Sequence, residues 1–425
     1  MPENALPSSA TLAPAPAESA NTRRYAGLAI LVAVAVLLPW ITNFTDVNQD
    51  KLPSWLSWLY GFLPLGTLVL CAVYALFALG LNIVVGFAGL LDLGYVAFFM
   101  VGAYTAAWLM SDFTYQVSDR AGASRHQMAF DIHFFSAAAD KIKGIHITFW
   151  LVIVAAAIVA AIAGVIIGAP TLRLKSDYLA LVTLGFGEIL PEVFRNLENF
   201  FGYNLTNGTK GIGPVDKIGT GWFHAIPGIP ESIQSSDNRT KYFVILIFCA
   251  LFIYVSIKLR DGRLGRAWMA IREDELAASL MGVPLMRTKL WSYAVGAIAG
   301  GVGGAFYATI VGTVNVDSFT FSFSIIVLCS VILGGMGNVW GALLGGVVIT
   351  WFNYTGLSWL GGKVNTGLTK VGTGWHINLT EYNFGIFGLV LVLMMLFRPD
   401  GLLPAARSRQ VKKAETELAL QGGLA

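Results

Sequence analysis

The chain has 425 residues, 56% of them hydrophobic and only 12% charged, with a formal net charge of +3 and a mean hydropathy of +0.66. Soluble domains carry about a quarter charged residues, so the two or three soluble domains that this length allows are excluded in favour of a multi-span membrane protein. The small net charge gives no reason to expect a nucleic-acid partner, and the three cysteines, Cys71, Cys249 and Cys329, sit inside apolar runs and give no disulfide framework.

Residues 1–22 are rich in Ala, Pro and Ser and read as a disordered N-terminal extension. Arg23 and Arg24 then precede the first apolar run, Tyr25 to Ile41, and hold the N-terminus in the cytoplasm. Further runs follow at 61–86, 88–110, 147–168, 178–198, 241–257, 291–313, 323–336, 339–359 and 384–397. The expected fold is an all-α integral membrane protein of about ten transmembrane helices, spanning 23–404, with both termini cytoplasmic and a cytoplasmic tail at 405–425. The run at 323–336 is short for a bilayer that needs about 20 residues of helix, so it is either re-entrant or extended by its neighbours.

Basic residues set the orientation. Arg173, Lys175, the 258–290 segment (Lys258, Arg260, Arg263, Arg266, Arg272, Arg287, Lys289) and the tail (Arg398, Arg407, Arg409, Lys412, Lys413) fall on the N-terminal side. The loops 111–146 and 199–240 fall on the other, in accord with the positive-inside rule. The five histidines, His126, His133, His146, His224 and His376, lie outside the apolar runs and form no close helical pair, so no metal site is expected.

Ionisable residues at membrane depth are costly and often functional. With a helix starting near Ser176, Glu188 lies about 17 Å along it, near mid-bilayer. Glu188, Glu192 and Arg195 share one helical face; they either line a hydrated pathway or pack internally, with Glu192 and Arg195 paired. Asp92 is a second pathway candidate, or a residue of the turn at "GFAG". Asn82 and Thr183 are further candidates, with hydrogen bonding between helices as their alternative use. Gly296, Gly300 and Gly304 are spaced by four, as are Gly341 and Gly345, which puts small residues on one face for close helix packing.

"REDELAASLMGVP" (272–284) breaks the apolar pattern. Asp274 reads as an N-cap, Glu275 suits the first turn, Gly282 suits the C′ position, and Pro284 prevents continuation. The result is a helix of about two turns, carrying Leu276 and Leu280 one turn apart beside the small Ala277 and Ala278. It is either a solvated connector or a docking element. The chain has no GxxxxGK[ST] phosphate loop, so ATP-driven transport would need another polypeptide for hydrolysis.

"GLNIVVGFAGLLDLGYVAFFMVGAYTAAWL" (80–109), "LRLKSDYLALVTLGFGEI" (172–189), "GRLGRAWMAIREDELAASLMGVP" (262–284) and "LFRPDGLLP" (396–404) resemble the branched-chain amino acid permeases of ABC importers, the LivM-type subunit. The likeness covers roughly 70–405. It implies that 258–290 is the ATPase-coupling segment, with Glu273, Asp274, Glu275, Ala277, Ala278 and Gly282 in the comparable places, although Leu276 interrupts the usual Glu-Ala-Ala core. It further implies a bacterial inner-membrane location and no covalent chemistry. The implied partners are a second homologous permease subunit, two ATPase subunits that carry ATP and Mg, and a periplasmic substrate-binding protein. This chain would hold no cofactor. A urea or short-amide ABC permease shares these motifs. From another class, an ion-coupled secondary transporter or channel would use Glu188 and Asp92 as ion sites.

Overall fold

Backbone in hydrocarbon must satisfy its own N–H and C=O groups, which favours helices over the long apolar runs. The computed structural model describes residues 35–39, 62–114, 131–134, 144–174, 176–201, 203–218, 238–370, 378–398 and 401–403. The extension at 1–22, most of the first apolar run, most of the 111–146 loop, His126, His224, His376 and the 405–425 tail lie outside the described residues. The chain divides into two units. Residues 35–39 are helical and belong to the first, Met1–Tyr60; the second, Gly61–Ala425, holds every other described helix and strand.

The elements of the second unit are α1 (Leu65–Leu81, continued by a π turn, Asn82–Phe87), α2 (Val96–Leu109), β1 (Met110–Ser111), β2 (Ile132–Phe134), β3 (Ile145–Ile147), α3 (Phe149–Thr171), α4 (Ser176–Asn196) and α5 (Asn238–Asp261). Then come α6 (Arg263–Glu273), α7 (Glu275–Leu280), α8 (Leu285–Val311), α9 (Phe321–Gly334), α10 (Val339–Trp351), a second π turn (Phe352–Gly356), α11 (Leu357–Lys370) and α12 (Asn383–Phe397). Among the described residues, six helical stretches are long and apolar enough to cross a membrane: Leu65–Phe87, Phe149–Thr171, Asn238–Asp261, Leu285–Val311, Val316–Gly334 and Leu379–Phe397.

Two features depart from the sequence reading. The run at 88–110 is not one helix: residues 88–95 are unwound, and α2 starts only at Val96. Gly89 takes φ +71, a value that a side chain rarely adopts, and the Asp92 carboxylate ties up the Gly94 N–H. The fold is also not wholly helical. β3 pairs antiparallel with β1 and parallel with β2, giving a three-stranded sheet in the order β1-β3-β2.

α1 and α8 form the centre. α8 packs on α3, α2 and α1, while α10 packs on α1 and α9, and α5 on α1. Close approach replaces bulk at these contacts. A Cβ on Gly304 would overlap the Phe99 carbonyl, and one on Gly345 would overlap the Ser330 carbonyl. Gly296 faces Val84 and Gly341 faces Gly334 with the same lack of room, and Gly300 is fitted more loosely against Phe98. In contrast, Val154, Ile158, Ile162 and Ile166 on α3, and Leu389, Val392 and Leu396 on α12, are exposed at helical spacing. Such apolar stripes on the perimeter suit contact with lipid tails.

The helices expose two opposite ends. At one, Ser111 bridges Val215, Ile212 bridges Val314, and His146 Nδ1 lies 2.7 Å from Asp216 Oδ2. Burial raises the Asp216 carboxyl above the usual carboxylate range, with the His146 hydrogen bond opposing that shift. At the other end lie 258–290, the unwound 88–95 segment and the turn at 335–338. Residues Leu402 and Leu403 fold back there, their N–H groups donating to the carbonyls of Leu333 and Gly334.

Candidate functional site

The 258–290 segment is built from three helices. α6 buries Gly265, Trp268 and Ile271 on one face, and the Trp268 indole N–H donates to the Thr288 carbonyl at 2.8 Å. Asp274 breaks the helix by turning extended, and its carboxylate then accepts the N–H groups of Leu276 and Ala277 at 2.8 and 3.0 Å. This satisfies two of the orphan donors at the start of α7. Gly282 ends the turn at φ +85, as a C′ glycine does. Pro284 caps α8.

α7 presents two different faces. Ala278 is 4% exposed and faces the body of the protein, whereas Leu276, Leu280 and Met281 are 71%, 80% and 85% exposed. The outward side therefore carries the two leucines, the methionine and Ala277, while Ala278 alone of the alanine pair turns inward. Among the described residues, none buries the apolar outer side of this six-residue helix. Glu275 is tied back, its carboxylate paired with the Lys289 ammonium on α8. Glu273 and Asp274 are exposed on the same corner.

Above this corner lies the unwound 88–95 segment. Backbone groups released from a helix need other partners, and protein groups supply several here. The Leu93 N–H donates to Thr183 Oγ1 at 3.1 Å, the Val96 N–H to Ser324 Oγ at 3.0 Å, and the Tyr95 hydroxyl to the Gly296 carbonyl at 3.0 Å. Gly94 packs against the Thr183 carbonyl and Gly187. Asp92 is 2% exposed; its Oδ2 has no hydrogen-bond partner among the described residues. Asn82 Oδ1 accepts the Gly337 N–H at 2.9 Å, which joins the π turn after α1 to the turn between α9 and α10.

The four candidate pathway residues thus separate. Asn82, Asp92 and Thr183 are buried, and each bonds to backbone near the unwound segment or the turns beside it. Glu188 is exposed on the opposite side of α4. It lines an open groove with Ile189, Glu192, Val193, Asn196 and Phe200. Glu192 pairs with Arg195, and the other guanidinium nitrogen reaches Asp317 Oδ1 at 2.8 Å. That second partner, which ties α4 to the turn before α9, was not legible in the local sequence. Arg272 was also missed as an individual residue: its guanidinium donates to the Gly86 carbonyl.

Residues 63–395 match the family described as the branched-chain amino acid transport system / permease component. The chain belongs to that family. The permease is 33% identical over 351 residues to the high-affinity branched-chain amino acid transport system permease protein LivM of Escherichia coli, covering 80% of this chain and 69% of that protein. It is likewise 33% identical over 348 residues to the LivM protein of Salmonella typhimurium, covering 79% and 68%. The LivH permease protein of Salmonella typhimurium is 24% identical over 332 residues, covering 78% and 91%. No solved structure matches the permease significantly. The exposed stripes on α3 and α12 suit a multi-pass membrane protein, and the charged corner at α6 and α7 falls within the matched span.

Proposed function

We propose that this permease is the membrane-spanning subunit of an ABC importer for branched-chain or related amino acids, residing in the bacterial inner membrane. Two relatives of different type, LivM and LivH, match the same chain, which supports a second homologous permease subunit as its partner. The two subunits carry two ATPases on the cytoplasmic face and receive substrate from a periplasmic binding protein. ATP and Mg act on the ATPases, and this chain performs no covalent chemistry. About ten helices cross the bilayer, with both termini, α6 and α7 in the cytoplasm, where the basic residues concentrate.

One observation carries the reading: α7 is a capped helix whose apolar residues Leu276 and Leu280, with Met281 at its end, are exposed and uncovered by any other described residue. A solvated connector has no reason to display them, while an ATPase cleft would bury them. ATPase closure then moves α7, and Pro284 passes the motion into α8, which spans the core beside α1, α2 and α3.

The test has two parts. Cysteines placed at Ser279 and Ser408 are labelled only from the cytoplasm, and one at Ser235 only from outside. The permease co-purifies with ATPase subunits, and reconstituted uptake requires ATP. Labelling of Ser279 from outside, or uptake without any ATPase, defeats the reading.

A further inference from the structure

Arg272 is the next-to-last residue of α6, two positions before the cap of α7. Its side chain turns away from α7 and reaches residues 186 positions earlier in the chain. The guanidinium Nη1 donates to the Gly86 carbonyl, inside the π turn that ends α1. The chain leaves the helix at Ala88, so carbonyls of this last turn lack the regular intrahelical donors. A charged donor is the strongest replacement available.

Two glycines make room for this contact. A Cβ on Gly89 would lie 2.7 Å from Arg272 Cγ, and one on Gly337 would lie 3.1 Å from Arg272 Nη1. Both take positive φ, +71 and +82, so each turn is shaped as well as spaced for the arginine. Gly337 also donates to Asn82 Oδ1 at 2.9 Å, and Asn82 begins the π turn that holds Gly86. A single guanidinium therefore touches two interhelical connections at this end of the protein: the one between α1 and α2, and the one between α9 and α10.

We propose that Arg272 is the positioning residue that links the ATPase-docking helix to two interhelical connections of the membrane domain, by holding the Gly86 carbonyl and seating against Gly89 and Gly337. The inference rests on the reading of α7 as the docking helix. Displacement of α6 and α7 draws the guanidinium with it, and the π turn and the 335–337 turn move together because Asn82 joins them. The unwound 88–95 segment, which comes directly after this π turn, is then the first membrane element to respond.

The test uses the complete complex in proteoliposomes, with uptake and ATP hydrolysis measured together. Arg272→Met keeps the stem against Gly89 and removes the donor. Its complex assembles and hydrolyses ATP near the wild-type rate, while uptake per ATP falls about tenfold, the worth of one charge-assisted hydrogen bond. Arg272→Lys restores a cationic donor and most of the uptake. Gly89→Ala, which disturbs the same seat from the other side, lowers uptake per ATP in the same way and decides the matter if Arg272→Met does not fold. Unchanged uptake per ATP in Arg272→Met, or a parallel loss of yield, hydrolysis and uptake that Arg272→Lys does not relieve, overturns the proposal. A wild-type preparation with no associated ATPase overturns the importer reading itself, before any variant is compared.

Discussion

Lys289 Nζ lies 2.5 Å from Glu275 Oε1. The lysine sits in the second turn of α8 and is buried, while the glutamate opens α7 and is half exposed. The pair closes the corner around Pro284, so α7 and the start of α8 are held at a fixed angle. A buried ammonium that loses its partner is costly, and the pair should show that as coupling. Glu275→Ala is expected to destabilise the purified permease by about 1–3 kcal/mol, the cost of leaving a buried polar group unsatisfied. Adding Lys289→Met should recover much of the loss. Thermal unfolding in detergent of both single variants and the double variant measures this; strictly additive effects would mean that the ion pair contributes nothing.

The two faces of α7 separate folding from docking. Ala278 is buried inside the chain, so Ala278→Arg inserts a charge into the protein's own core and should cost stability, by several kcal/mol for an unpaired buried charge. Leu280→Arg falls on the exposed face and should leave the permease fold intact. We expect Leu280→Arg to melt like wild type and yet lose its ATPases on purification, or hydrolyse ATP without uptake. Gel filtration of the complex beside a melting curve distinguishes the two. Full ATPase retention and uptake in Leu280→Arg would return α7 to a solvated connector.

Elements were legible in the sequence where the forces that shape them are local. Run lengths revealed most helices, because hydrocarbon forces backbone pairing within each segment. Asp274 and Gly282 revealed α7, because caps act within three residues. The break at 88–95 was hidden because "LLDLGY" is mostly apolar and its partners, Thr183, Gly296 and Ser324, are remote in sequence. The inward turn of Ala278 was hidden because six residues are too few to show a period. The small sheet was hidden for a related reason: strands of two and three residues leave almost no pattern. The outward aim of Glu188 depended on which side of α4 meets α2, and that is decided by Gly94 fitting against Gly187.

Asp92 combines near-complete burial with an oxygen that no described residue satisfies. Its other oxygen accepts the Gly94 N–H at 2.9 Å, so part of its role is to shape the unwound segment. Asp92→Asn keeps an acceptor for Gly94 and removes any buried charge. We expect assembly and uptake close to wild type and thermal stability within about 1 kcal/mol of it, because the amide nitrogen that replaces Oδ2 inherits the place without a partner. Asp92→Leu loses the acceptor as well and should be less stable than Asp92→Asn. Loss of uptake in Asp92→Asn with assembly intact would instead make Asp92 part of the transport path.

Glu188 tests the mechanism at its most exposed point. Its carboxylate stands on the outward side of α4, in a groove whose other walls include Ile189, Val193 and Phe200. Tyr178, Leu181 and Ile189 are also exposed on this helix. A carboxylate facing lipid near mid-bilayer costs a few kcal/mol, so a hydrated groove or a second subunit is the favourable neighbour. Glu188→Gln keeps the shape and most hydrogen bonding while removing the charge. If Glu188 tunes a hydrated path, uptake should fall several-fold, with complex assembly and ATP hydrolysis retained. If it only packs, uptake should be near normal. The third case is a proton site, where uptake in the wild type would follow the proton gradient and Glu188→Gln would abolish that dependence. Our expectation is the partial loss, with no gradient dependence in either protein. The decisive measurement is wild-type uptake with an uncoupler present and ATP held constant. Undiminished uptake leaves ATP as the driver and Glu188 as a lining group, and abolished uptake makes this permease an ion-coupled transporter instead.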